Sequence, residues 1–185
     1  MNQALIALAT RTLLDGIDDI DMQVSTEKTP ERVARAYKEM LDGYEVDIPS
    51  LFTAIEEDQG TDQLVIVKDI EFTSMCAHHL LPFECRVTIG YLPKDKVIGI
   101  SKLGRVAIAY GHRLQLQERM TKQIADALMQ YLNPLGVAVV SEAKHQCMRC
   151  RGVKLPTASV VVSEMQGAFR KDATLRAEFL SLIKG

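Results

Sequence analysis

Apolar residues recur at helical spacing over residues 2–14, and the pattern ends near Gly16. A second helix is predicted to begin at Thr29-Pro30-Glu31-Arg32, with Thr29 as N-cap and Pro30 at the first helical position. It runs to Leu41 and is stopped by Gly43, after which residues 45–62 are acidic and mixed, with room for one short helix. Leu64-Val65-Ile66-Val67 opens a strand, residues 86–92 read as the next, and Pro93-Lys94-Asp95-Lys96 marks a turn. Beyond residues 97–100, Ser101 is placed to cap a helix that begins Lys102-Leu103-Gly104-Arg105. A longer helix over residues 114–132 carries Leu116, Met120, Ile124, Leu128 and Tyr131 along one face, and Asn133-Pro134-Leu135-Gly136 breaks it. Residues 137–143 and 158–164 read as strands, and residues 174–183 as a closing helix. Helices, two strands, helices, two strands and a helix make an α+β pattern, with an antiparallel sheet and helices on one face.

Composition fits that picture. The chain has 185 residues, 47% apolar and 25% charged, enough to bury a core without disulfides. Lys plus Arg is 22 against 24 for Asp plus Glu, so a nucleic-acid coat or an anionic-membrane binder is not expected, although a local basic pocket is compatible. No apolar run is long enough to cross a bilayer. Met1-Asn2-Gln3-Ala4 lacks the basic start of a secretory signal, so a soluble, cytoplasmic protein is expected.

The four Cys and four His are clustered. Cys76, His78 and His79 share one four-residue stretch, and His145, Cys147 and Cys150 share another, leaving only Cys85 and His112 outside. Without an export signal, such clusters point to metal or redox chemistry ahead of structural disulfides. Two zinc readings are open on spacing alone. Cys76, His79, Cys147 and Cys150 could close a four-ligand structural site. Alternatively, Cys76, His79 and one later cysteine leave a position for water, with His78 and His145 free as acid or base groups. The long gap between the clusters suits a site set between elements of an existing fold better than a short zinc finger.

Basic residues also fall at suggestive places. Arg32 and Arg35 share a face of one helix, Lys102 and Arg105 have the same spacing near another helix start, and Arg151 follows the second cluster. Such a set could concentrate charge for a polyphosphate, or each residue could be a solvated surface group. Glu118, in Gln117-Glu118-Arg119, reads either as an exposed helix residue or as a carboxylate accepting two adjacent N–H donors, as a guanine edge presents.

Several stretches together resemble one family. They are Thr29-Pro30-Glu31-Arg32-Val33-Ala34-Arg35, Ser74-Met75-Cys76-Ala77-His78-His79-Leu80-Leu81-Pro82-Phe83, Gly90-Tyr91-Leu92-Pro93, Gly99-Ile100-Ser101-Lys102-Leu103-Gly104-Arg105, residues 115–124, His145-Gln146-Cys147-Met148 with Arg151-Gly152-Val153, and Gly167-Ala168-Phe169-Arg170. From about residue 28 onward the chain resembles GTP cyclohydrolase I, and so many motifs in order are highly specific.

The resemblance implies that Cys76, His79 and Cys147 ligate Zn2+ with one position open. It implies a reaction in which water adds to C8 of GTP, the imidazole ring opens, C8 leaves as formate, and the remainder rearranges to 7,8-dihydroneopterin triphosphate. His78 is then the principal acid and His145 assists proton movement. Glu118 anchors the guanine with Gln117 beside it, and Ser101, Lys102, Arg105, Arg151, Arg32 and Arg35 hold the triphosphate. The implied architecture is the tunnelling fold, in which sheets from several subunits join into a barrel, usually in a homodecamer. On this reading residues 1–62 are an N-terminal helical segment and residues 63–185 the catalytic domain of one structural unit.

Three positions depart from the family pattern. Ala77 stands where an acidic residue is usual, which alters the charge beside the site. Arg35 replaces a more frequent Lys and adds a bidentate fork. Cys150 is unusual, and reads first as a spare thiol, otherwise as a redox partner of Cys147 or a fourth ligand.

Overall fold

The computed structural model describes residues 1–17, 26–53, 55–57 and 63–184, and divides into two compact units, Met1–Asp42 and Gly43–Gly185. Ile48 and Phe52 belong to the second unit's core.

The first unit is a pair of helices, α1 (Gln3–Asp15) and α2 (Thr29–Met40). Asn2 caps α1 by accepting from the Leu5 amide at 3.1 Å. The expected Thr29 cap is displaced by one residue: Lys28 is the N-cap, without a side-chain bond, and Thr29 and Pro30 open the helix. Arg32 and Arg35 are exposed on α2.

The second unit is built on a five-stranded sheet in the order β5-β2-β3-β6-β7. Its members are β2 (Val65–Cys76), β3 (Pro82–Leu92), β5 (Leu114–Gln115), β6 (Gly136–His145) and β7 (Val160–Gly167). All pairings are antiparallel except the short parallel one of β5 to β2. A small separate sheet pairs β1 (Ile55–Glu57) with β4 (Lys96–Ile98). The α+β class with an antiparallel sheet is as expected.

Strand alternation sorts the side chains. Phe83, Cys85, Val87, Ile89 and Tyr91 of β3 are all buried on one face. That face is covered by α3 (Ile100–Gly111) and α4 (Gln117–Tyr131), which contribute Leu103, Val106, Met120, Ile124 and Leu128. Ser101 does not cap α3; Gly99 does, and Ser101 is exposed in the first turn. The two long helices thus cover one face as expected. After the short α5 (Gln146–Arg149) and α6 (Ala168–Lys171), the last helix, α7 (Ala173–Ile183), packs Phe179 with Phe169 and Ala138 in a second, smaller core. Ala138 alternates with Val137 and Val139, so this core lies on the opposite side of β6. On that second face Arg86 bridges to Glu71 at 3.0 Å.

One irregularity sets the phase of β2. Val65 and Val67 pack with the larger core, and so do Ile70, Phe72 and Cys76, an odd-to-even change. Between Val67 and Ile70 the register slips, and Asp69 adopts a φ of 57°. The extra residue is a β-bulge that turns Cys76 toward the face shared with Cys85 and Phe83. A left-handed conformation is tolerable for Asp and strained for a β-branched residue. Asp69→Val is expected to lower the unfolding free energy by about 1–3 kcal/mol, with Asp69→Gly near the native value, read by urea denaturation.

Candidate metal centre and catalytic site

The register brings the two Cys/His clusters to one end of the sheet. Phe83 pairs with Ser74 on one side and with His145 on the other. Cys76 and Cys147 each lie two residues farther along their strands' directions, so they flank the start of β3. A turn over residues 77–79 follows Cys76, closed by Cys76 N–H to Leu81 O and Leu80 N–H to Cys76 O, both 2.9 Å, with Leu80 at a φ of 51°. Ala77 is fastened from the other side by its amide donating to Gln115 O at 2.9 Å.

The ligand atoms of Cys76, His79 and Cys147 all lie within 4.8 Å of one another, and Cys76 Sγ is 3.8 Å from His79 Nδ1. Ligands bonded to zinc at 2.0–2.3 Å in a tetrahedron stand about 3.3–3.8 Å apart, so small adjustments would close the set. Two sulfurs and one imidazole suit zinc and leave one position open. Burial and then the neighbouring Cys76 push the Cys147 thiol up, while Arg151 pulls it down. A dication held by Cys76, His79 and Cys147 would supply positive charge that favours the thiolate forms. Cys150 does not join the group; its Sγ donates to Gln146 O at 3.0 Å.

The predicted residues are gathered unevenly. Arg151 reaches the cluster, its Nη1 lying 3.3 Å from His79 Nε2. His78 is exposed in the turn, with its ring 6.2 Å from that of His79. His145 lies flat on buried Phe83, centroids 4.4 Å apart and planes 17° from parallel. Its Nε2 is 2.9 Å from Gln117 Oε1. Burial draws the His145 pKa down, partly opposed by the negative charge of Glu118. Glu118 itself is exposed in the first turn of α4. Lys102 is half-buried and Arg105 exposed, both in the early turns of α3 and on a different element from the cluster. Arg32 and Arg35 belong to the first unit.

The Cys and His outside the two clusters lie in other elements. Cys85 is buried in β3, and burial raises its thiol to about 12. His112 caps the C-terminal end of α3. Sequence reasoning missed the partners of His145. A signal was available in Ser141, a polar residue in the inward phase of an apolar strand, which is fully buried and needs polar company.

The model of one family, described as GTP cyclohydrolase I, matches residues 6–184. The chain belongs to the GTP cyclohydrolase I family. It is 46% identical over 185 residues to GTP cyclohydrolase 1 of Pelotomaculum thermopropionicum, covering all of this chain and 98% of that one. It is 48% identical over 175 residues to the Gloeobacter violaceus protein of that name, covering 95% and 82%. The Dictyostelium discoideum protein of that name is 44% identical over 176 residues, covering 95% and 76%. Family membership makes this an enzyme chain, and the converging Cys-His-Cys group is its candidate metal centre.

If the centre uses three protein ligands, Cys147→Ser should lose stoichiometric zinc on dialysis and Cys150→Ser should retain it, measured by elemental analysis. Zinc lost from Cys150→Ser instead would restore the closed four-ligand site.

Proposed function

We propose that this chain is a zinc-dependent GTP cyclohydrolase. It hydrolyses the imidazole ring of GTP, releases C8 as formate, and rearranges the remainder to 7,8-dihydroneopterin triphosphate at the head of pterin and folate or 7-deazaguanine biosynthesis. The observation that carries this reading is the convergence of Cys76, His79 and Cys147 beside His145, in a chain 46% identical end to end to a GTP cyclohydrolase 1.

Zinc held by those three residues supplies Lewis-acid polarisation of water near neutral pH. The chain's own groups do the rest. His78, exposed in the turn after Cys76, is the proposed acid that protonates the purine nitrogen, and His145 carries protons beside it. Glu118 is proposed to accept from N1 and N2 of the guanine, and its charge favours a protonated His145. Gln117 stands beside it, its side chain occupied within the protein. Ser101, Lys102, Arg105 and Arg151, with Arg32 and Arg35, are proposed to hold the triphosphate, for which guanidinium forks are well shaped.

The proposed assembly is the homodecamer of the tunnelling fold, sheets of neighbouring copies closing into a barrel, with residues 63–185 as its catalytic domain. The proposed location is the cytoplasm, with no nucleic-acid or membrane partner. Among the described residues no helix is long and apolar enough to cross a membrane. The alternative is a same-fold relative that binds or converts a related purine nucleotide with a closed or altered metal site, and the bond of Cys150 Sγ to its own helix speaks against the closed form.

Zinc-loaded protein given GTP should release formate in step with a pterin that becomes fluorescent on oxidation. His78→Ala should lower kcat by about 10²–10⁴-fold while zinc and GTP remain bound. Bound zinc and GTP with neither product would overturn the reading.

A further inference from the structure

Gln117 was grouped with the guanine contacts, yet its side chain is 2% exposed and every polar atom on it is used inside the protein. Its Nε2 faces three acceptors: Ser141 O at 3.1 Å, Ser141 Oγ at 3.1 Å and Val160 O at 3.0 Å. Turning the amide over would press Oε1 against two carbonyl oxygens, neither of which can donate. The amide orientation is therefore dictated, and Oε1 must be the atom 2.9 Å from His145 Nε2. A bond there requires Nε2 to carry the hydrogen, because an amide oxygen only accepts.

We propose that Gln117 is a positioning residue for His145, which it holds as the Nε2–H tautomer so that Nδ1 is the nitrogen open to a proton. The stack on Phe83 fixes the plane of the ring, and the bond to Gln117 fixes its rotation within that plane. Gln117 is itself anchored through a chain of hydroxyls. Thr121 Oγ1 donates to Gln117 O at 2.7 Å, so at the 2.7 Å contact between the two hydroxyls Ser141 is the donor. Ser141 Oγ is thereby left with lone pairs for Gln117 Nε2. All three residues are buried and sit between α4 and β6, and Val160 adds the start of β7. A proton carrier with two distinguishable nitrogens works only when the free one faces the chemistry, and its other nitrogen's partner decides which that is.

This inference rests on the reading of His145 as a proton carrier, and the test separates the two. Solid-state 15N spectra of the zinc-loaded protein carrying 15N-histidine would be taken above the imidazole titration range, with His145→Ala identifying the signals of position 145. A protonated Nε2 and a bare Nδ1 are expected at His145, and a mixture of tautomers in Gln117→Leu. Kinetically, Gln117→Leu should lower kcat by about 10–100-fold, a fraction of the range for a whole acid–base group, with KM for GTP within about twofold. A raised KM at unchanged kcat would return Gln117 to a substrate contact and overturn the proposal. So would an Nδ1–H signal in the unsubstituted protein, which decides alone if Gln117→Leu fails to fold. Native turnover by His145→Ala would overturn the proton-carrier reading itself, and the positioning role with it, whatever the tautomer.

Discussion

Everything at the candidate site depends on strand register. His145 sits opposite Phe83, Phe83 opposite Ser74, and a single extra residue near Asp69 sets which face Cys76 addresses. A one-residue slip in β2 would turn Cys76 to the other side of the sheet and separate it from Cys147. Backbone hydrogen bonds along β2, β3 and β6 and the apolar face beneath α3 and α4 hold that register, so a hydrophobic core fixes the position of a polar centre. The same inward phase of β6 that buries Val137, Val139 and Ala143 delivers Ser141 to Gln117 and lays the His145 ring on Phe83.

The fold and the cluster were legible in the sequence to different depths. Every long helix and each of the four long sheet strands is expected from apolar pattern or from cap and turn residues, with limits shifted by a few residues. β3 begins at Pro82, four residues before the expected Arg86, because its polar first positions, Glu84 and Arg86, belong to the face away from α3 and α4. The two-residue β5 carries too little pattern to be seen, although it ties Ala77 to Gln115. The bulge was also silent, since an Asp in a charged stretch gives no sign of its φ. The candidate ligands could be read because Cys and His are scarce and were clustered. The bridging role of Gln117 could not, because a buried glutamine at a helix start looks the same in sequence as an exposed one.

The electrostatics are arranged in layers. Two sulfurs and an imidazole converge at the sheet's end, Arg151 lies against the imidazole, and the negative charge of Glu118, at the start of α4, acts on His145. Ala77 places no charge in the turn, and Arg151 is a positive charge acting on Cys147. His145 is held on a ring and an amide while His78 stands in the open turn, so the two imidazoles have different surroundings.

X-ray absorption at the zinc edge of the loaded, substrate-free protein tests the central claim most directly. An open centre built by the register of β2, β3 and β6 should show two sulfurs at about 2.3 Å and two lighter atoms at about 2.0–2.1 Å, one a histidine nitrogen and one a water oxygen. Three sulfurs in the first shell, with Cys150 drawn in, would contradict it.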